Sequence, residues 1–280
     1  MIIRTINPSD FDFIIELTAA EKVRYTKKDL SRILDYEPEG CFIALDEERR
    51  LGVVTTIVFG RVGWIGNVFV AKSSRRLGAG SKLVREALQH MRRKGVEYPK
   101  LYCFPHRIAF YRRLGFVAEL NVQIVGGVGR ALSFSRVEEL PEDSFDELVA
   151  LDGRMFGADR SRMLRRLHQE FREYCFGAYA DDELVGYVMA CGSGSDYELG
   201  PWVCEPHYQD VFAEELLRAE MNRLDGKSFE LSSPMHNPSV EIILEKYDFK
   251  QEGVAVRMGH GRAHIEKAEG ILGIAGLDRG

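Results

Sequence analysis

Val68-Phe69-Val70-Ala71-Lys72-Ser73-Ser74-Arg75-Arg76-Leu77-Gly78-Ala79-Gly80-Ser81 begins as the end of a β-rich run, Trp64 to Val70, and ends as the start of an amphipathic helix. A strand, a glycine-bearing turn and a helix N-terminus together make an anion site. The first-turn amides have no intrahelical acceptor, and the helix dipole places partial positive charge on them. Gly78 and Gly80 let a phosphate approach the backbone without Cβ contact, and Arg75 and Arg76 add charge-assisted donors. Two common phosphate motifs do not fit. A dinucleotide fingerprint needs a third glycine where Leu83 stands, and a P-loop needs its lysine elsewhere than Lys82. What remains is R-x-x-G-x-G after a V-x-V strand end.

Working outward, Leu83, Val84, Ala87, Leu88 and Met91 fall on one face of a helix from Gly78 to Lys94. Arg92, Arg93 and Lys94 suit its negative end, and Gly95 its stop. Upstream, Ile2-Arg4 reads as a strand and Asn7-Asp10 as a helix cap. Cys41-Asp46 and Leu51-Phe59 read as a hairpin around the charged turn Glu47-Arg50, and Gly60-Arg61 turns the chain into Trp64-Val70. Downstream come strand Leu101-Phe104, helix Arg107-Leu114, a stop at Gly115 and strand Phe116-Glu119.

The pattern then repeats. Cys41-Phe42-Ile43-Ala44 recurs as Cys175-Phe176-Gly177-Ala178, and Gly52-Val53-Val54 as Gly186-Tyr187-Val188, both at an offset of 134 residues. Val68-Phe69-Val70 matches Pro201-Trp202-Val203, and Gly115-Phe116 matches Asp248-Phe249, both at an offset of 133. Four matches in order at nearly constant spacing indicate a duplicated domain. The boundary falls near Ser135, giving copies 1–135 and 136–280, the second opening on a helical region at Val137-Asp143.

Ala109-Phe110-Tyr111-Arg112-Arg113-Leu114-Gly115-Phe116 supplies a second motif, F-Y-x-x-x-G-F. Together with the loop and the element order, it resembles the GNAT superfamily of acyl-CoA-dependent N-acyltransferases over residues 1–135. Residues 136–280 resemble a second, worn copy, as in the two-domain (tandem, YitH-like) members. The fold implied is α/β of the α+β kind, a tandem in which each copy is a twisted, mixed, mostly antiparallel sheet flanked by helices. The resemblance implies an acetyl-CoA co-substrate held by Val68, Phe69, Val70, Arg75, Arg76, Leu77, Gly78, Ala79, Gly80 and Ser81. Lys72 stands where the family often has Pro, and Phe104 where it often has Asn.

The activity implied is transfer of an acetyl group to a primary amine of a small molecule or protein by direct attack. A backbone N–H near Val68 or Phe69 would polarise the thioester carbonyl. Tyr111 stands at the general-acid position and would protonate the departing thiolate. Outside the motif, Tyr111 would read as an aromatic packed on a helix face. Glu198, Asp196 and Glu21 are the acidic candidates for taking the amine proton, and each reads more readily as a solvated carboxylate. Cys103 has no paired His and reads as a small apolar core residue. A different class of function, a non-catalytic acyl-CoA-binding or sensing module, would keep the loop but use Tyr111 only for packing.

The second copy has lost its cofactor residues. Tyr208 replaces Arg75, Val211 and Ala213 replace Gly78 and Gly80, and Leu244 replaces Tyr111. Asp210, Glu214 and Glu215 crowd the equivalent helix start and would repel a diphosphate, although Asn237 is kept where the first copy has Phe104. This half reads as a partner walling the substrate cleft, with Gly200-Pro201-Trp202 as a contributor unless Trp202 is core.

Composition narrows the partners. The 280 residues are 45% hydrophobic and 29% charged, with a net charge of −5, which disfavours nucleic acid. No apolar run has the length of a membrane helix and the N-terminus lacks signal-peptide character, so the expectation is a cytoplasmic chain with no membrane partner. A homodimer is compatible with this. The five cysteines form no C-x-x-C pair. His260 and His264 are four apart without a third ligand, so no metal is expected.

Overall fold

The β-branched and aromatic runs of both copies enter one sheet. The computed structural model describes residues 1–193, 196–235, 237–261 and 268–280, so His264 lies outside the described residues. The first half runs β1 (Ile2–Thr5), α1 (Phe11–Ala19), α2 (Lys27–Tyr36), β2 (Phe42–Asp46), β3 (Arg49–Phe59), β4 (Val62–Val70), α3 (Ala79–Arg93), β5 (Tyr98–Cys103), α4 (Ile108–Arg112) and β6 (Phe116–Val128). The second half repeats the order with β7 (Val137–Glu139), α5 (Phe145–Phe156), α6 (Ser161–Glu170), β8 (Cys175–Ala180), β9 (Glu183–Ser193), β10 (Asp196–Cys204), α7 (Gln209–Arg223), β11 (Ser228–Pro234), α8 (Pro238–Lys246) and β12 (Lys250–His260). A further strand, β13 (Ile271–Gly273), has no counterpart in the first half.

Local signals explain the elements. Asn7 caps a short turn ahead of α1 and pairs with Asp10 in a reciprocal capping box, and Thr26 does the same with Asp29 for α2. Leu83, Val84, Ala87 and Met91 of α3 are fully buried, as their spacing requires, and Gly95 ends the run in the left-handed region with φ +80. Val137–Glu139 is a strand rather than the expected helical start. It is the counterpart of β1 and pairs with β8 as β1 pairs with β2. The helix begins only at Phe145.

The sheet order is β1-β2-β3-β4-β5-β12-β6-β11-β10-β9-β8-β7. Among the described strands only β4/β5 and β10/β11 pair in parallel, apart from an isolated parallel bridge between Gly129 and Asp225. The two copies exchange their last strands. β12 of the second copy pairs with β5 of the first, and β6 of the first pairs with β11 of the second. Each half's sheet is therefore completed by the other.

Helices cover both faces. In the first half, α3 and α4 pack over Phe42, Ala44, Val54 and Ile65, while α1 and α2 cover Cys41, Ile43 and Val53 on the opposite face. α5 shares the face of α1 and α2, since its Phe156 ring stands 5.7 Å from Phe59 and 5.8 Å from Trp64. α2 and α6 meet through Glu170, which forms ion pairs with Lys28 at 2.7 Å and Arg32 at 3.0 Å. No helix among the described residues is long and apolar enough to cross a membrane.

Candidate functional site

β4 runs beside β5 only from Val62 to Ile65, and the two then part. On its other edge β4 stays with β3, but the register slips between the Thr55–Gly66 and Val53–Phe69 pairs. Asn67 supplies the bulge with φ +52. Past it, Ala71 donates its N–H to the Leu51 carbonyl at 2.8 Å, which fixes the alternation. Phe69 therefore addresses its backbone groups to β3, while those of Val68 and Val70 face the opening. Of the two amides considered from sequence, the Val68 N–H is the one turned into the gap.

The expected anion loop closes this opening at its far end. Lys72–Ser74 form a short turn held by Arg49, which donates to Ser73 Oγ at 2.9 Å and Ser74 Oγ at 3.1 Å. Arg75 is committed within the protein. Its Nε donates to the Val70 carbonyl at 3.3 Å and its Nη2 to Glu21 Oε1 at 2.5 Å. It braces the loop rather than standing free for a phosphate. Arg76 is exposed and has no ion pair among the described residues, and Leu77 is exposed beside it. Gly78 caps α3 with φ +82, a conformation that L side chains rarely adopt. Ala79 is buried, and Ala79, Gly80 and Ser81 present the free first-turn amides. A Cβ on Gly80 would lie 3.5 Å from both Val70 Cγ2 and Phe110 Cζ, at the mouth of the gap. The free edge of β4 and the bare helix start fit an extended arm ending in a diphosphate.

Tyr111 sits on α4, 7% exposed, edge-on to Phe110 at 4.9 Å and to Phe116 at 5.9 Å. Burial pushes its phenol up, so it keeps its proton at neutral pH. The hydroxyl makes no hydrogen bond to another described residue. Cys103 is buried with its Sγ 3.4 Å from Met258 Sδ, and burial pushes the thiol up to about 11, as suits an inert core residue. Phe104 is exposed and stacks on His106.

The three carboxylates considered for the amine proton separate clearly. Glu21 is held by Arg75, and Asp196 is solvated, its side chain 68% exposed and 3.8 Å from Arg24. Glu198 is half-buried on β10 and accepts from Arg279 Nη2. Its carboxyl is pushed up to about 7, chiefly by burial and then by Asp278 and Glu230, against the pull of Arg279. Sequence reasoning missed its neighbours, Tyr25, Asn67, Asp278 and Arg279, which come from three places in the chain and share no local motif.

The second copy repeats the geometry and fills it. β10 runs parallel to β11 from Asp196 to Leu199 and then parts from it, at a bulge carrying a cis Gly200–Pro201 bond. β13 occupies that gap, with Trp202 paired to Gly273 and Val203 to Ile271. Ile274 donates its N–H to the Ser232 carbonyl of β11 at 2.9 Å. The chain's own strand thus lies where the first copy leaves an open edge. Gln209 Nε2 donates to the Glu269 carbonyl at 2.6 Å and Asn237 Nδ2 to the same carbonyl at 3.1 Å. The asparagine that the first copy lacks here serves the inserted segment. Trp202 is wholly buried, so it is core and not cleft wall.

Comparison with known proteins agrees with this geometry. Residues 11–116 match the Acetyltransferase (GNAT) family, and residues 148–272 match an Acetyltransferase (GNAT) domain. The uncharacterized N-acetyltransferase YitH of Bacillus subtilis (strain 168) is 24% identical over 233 residues, covering 79% of this chain and 81% of YitH. A putative acetyltransferase from Pyrococcus horikoshii superposes with a TM-score of 0.84 at 21% identity, covering 100% of this chain and 95% of that one. A tandem GNAT protein from the clavulanic acid biosynthesis pathway superposes with a TM-score of 0.67 at 13% identity, covering 94% and 99%. The last two are likenesses of fold.

Proposed function

Both halves of the chain belong to the GNAT acetyltransferases, and on that premise we propose that only the first half binds acetyl-CoA and transfers its acetyl group to a primary amine. Membership makes the chain an N-acetyltransferase with an acyl-CoA co-substrate; the rest is our reading. The copies divide at 135/136 in sequence, with the sheet running through both.

One observation carries the reading. The gap beside β4 is open and ends in a glycine-bearing helix start, while the gap beside β10 is filled by β13. In the first gap, Val68 and Val70 pair with the arm of the co-substrate as a further strand would. Arg76 and the amides of residues 79–81 hold the diphosphate, in the loop that Arg75 braces. The thioester supplies an activated acetyl group. The Val68 N–H faces the carbonyl oxygen as it gains charge, a role typically worth a few kcal/mol. The neutral amine attacks directly, its C–N bond forming as the C–S bond breaks; Tyr111 gives its proton to the departing thiolate, and the proton shed by the new amide nitrogen restores the phenol through solvent.

The test is release of CoA from acetyl-CoA with a panel of primary amines. Turnover that depends on the amine is the expected result. Saturable acetyl-CoA binding with no amine-dependent release across the panel would make the chain a binding or sensing module instead.

A further inference from the structure

Between Lys72 and Arg113 the chain has twelve lysines and arginines against two acids, in a protein whose net charge is −5. Both acids have partners: Glu86 pairs with Arg93 at 3.4 Å and Glu97 with Arg61. Lys82, Arg85 and Arg92 of α3, with Arg107, Arg112 and Arg113 on and beside α4, are exposed and have no ion pair among the described residues. The two helices are neighbours, since a Cβ on Gly80 of α3 would meet Phe110 of α4 at 3.5 Å, and both cover one side of the first sheet. Lys82, Arg85 and Arg92 fall in one stripe at helical spacing. Lys82 also stands near the end of the helix dipole that disfavours cations. The cations of α2, on the opposite side, are all paired: Lys27 with Asp12, and Lys28 and Arg32 with Glu170.

A patch of one sign repels itself until an anionic partner covers it. The nucleotide end of CoA covers only the mouth of the gap. Arg92 lies twelve residues beyond Gly80, about 18 Å along the helix, out of reach of a ligand whose arm is threaded beside β4. The partner is therefore larger than one nucleotide, and it sits where the far end of the donor's arm emerges. Leu77 is 61% exposed in the loop and Phe104 47% exposed at the end of β5, one on each side of the opening. Apolar anchors beside a charged patch suit a protein surface better than a polyphosphate. We infer that this face docks an acidic carrier protein that holds the acyl group as a thioester on a phosphopantetheine arm, and that the arm enters the gap beside β4 as CoA's does. The inference rests on the first half being the working copy. The step keeps its balance: the arm's C–S bond breaks as the C–N bond forms, and the arm leaves as a free thiol with the Tyr111 proton. The proton shed by the nitrogen restores the phenol through solvent.

The test is a calorimetric titration of the full chain with a bacterial fatty-acid carrier protein, an acidic protein bearing the unacylated phosphopantetheine arm. Saturable binding is expected, weaker by roughly tenfold or more in high salt and weaker also for the carrier without its arm. Arg92→Glu combined with Arg113→Glu should lose roughly tenfold or more of the carrier affinity. It should keep the affinity for acetyl-CoA, since neither residue belongs to the loop or its helix start. Arg136→Glu combined with Lys250→Glu removes the same charge from exposed positions of the second half and should change neither. If the first pair does not fold, Arg92→Gln combined with Arg113→Gln carries the same comparison. No saturable binding of the carrier, or equal losses in the two charge-reversed pairs, would overturn the assignment. So would tighter binding of a mixed-sequence single-stranded RNA that the same arginine pair controls. Acetyl-CoA titrated into the same samples checks the first gap separately: normal acetyl-CoA binding without carrier binding removes the carrier alone, and loss of both removes the first-half reading.

Discussion

Gly80→Glu is expected to fold as the unaltered chain does and to lose acetyl-CoA binding. The backbone at residue 80 tolerates a side chain. It lies in the first turn of α3, and a Cβ would make ordinary contacts at 3.5 Å with Val70 and Phe110. Those neighbours also place the added group at the mouth of the gap, where the diphosphate must sit. A carboxylate about 5 Å from a phosphate, at the effective dielectric of a protein surface, costs about 3 kcal/mol, or more than a hundredfold in affinity. Its bulk also shields the free amides of the first turn. Gly80→Ala, which adds the Cβ alone, should bind far better than Gly80→Glu. Calorimetry with acetyl-CoA and a thermal melt measure the two halves of this expectation. A folded Gly80→Glu chain with normal affinity would remove the diphosphate from this loop.

Tyr111→Phe should lower kcat by roughly 10²–10⁴-fold, the usual contribution of a positioned general acid. Acetyl-CoA affinity should scarcely change, because only a hydroxyl is removed and the ring keeps its edge-on contacts with Phe110 and Phe116. The burial that pushes the phenol up keeps it protonated across the neutral range, so the acid is present at working pH. The substitution separates the acid from the packing aromatic that the sequence alone also allows. An unchanged kcat, measured where chemistry limits turnover, would leave Tyr111 with packing only.

The loop and helices of the candidate site in the first half were legible because they are local. The loop from Val68 to Ser81, the helix it opens and the block around Tyr111 each lie within a short stretch of chain, and backbone rules read such stretches well. The duplication was legible for the same reason. Arg75 shows the limit of that reading. An arginine in a phosphate loop reads as a phosphate ligand, but Glu21 lies far away in sequence and claims it as a brace. The exchange of β6 and β12 was not legible either. Both strands carry the same local pattern, and nothing local specifies which of them pairs with β5. The filling of the second gap by β13 depends on the same kind of distant pairing. Its trace in the sequence is Asn237, whose side chain donates to the Glu269 carbonyl of the segment that leads into β13.

The strand exchange means that neither half completes its own sheet, so the decisive measurement uses the whole chain. Acetyl-CoA is titrated calorimetrically into full-length protein of known active concentration, and the number of sites is read from the equivalence point. One equivalent is expected. The first copy offers an open strand edge and a bare helix start. The second offers a gap closed by β13 and a helix start bearing Val211, Asp210 and Glu214, the last held by Lys246 at 2.6 Å. Two equivalents, or one equivalent that survives Gly80→Glu, would contradict the account.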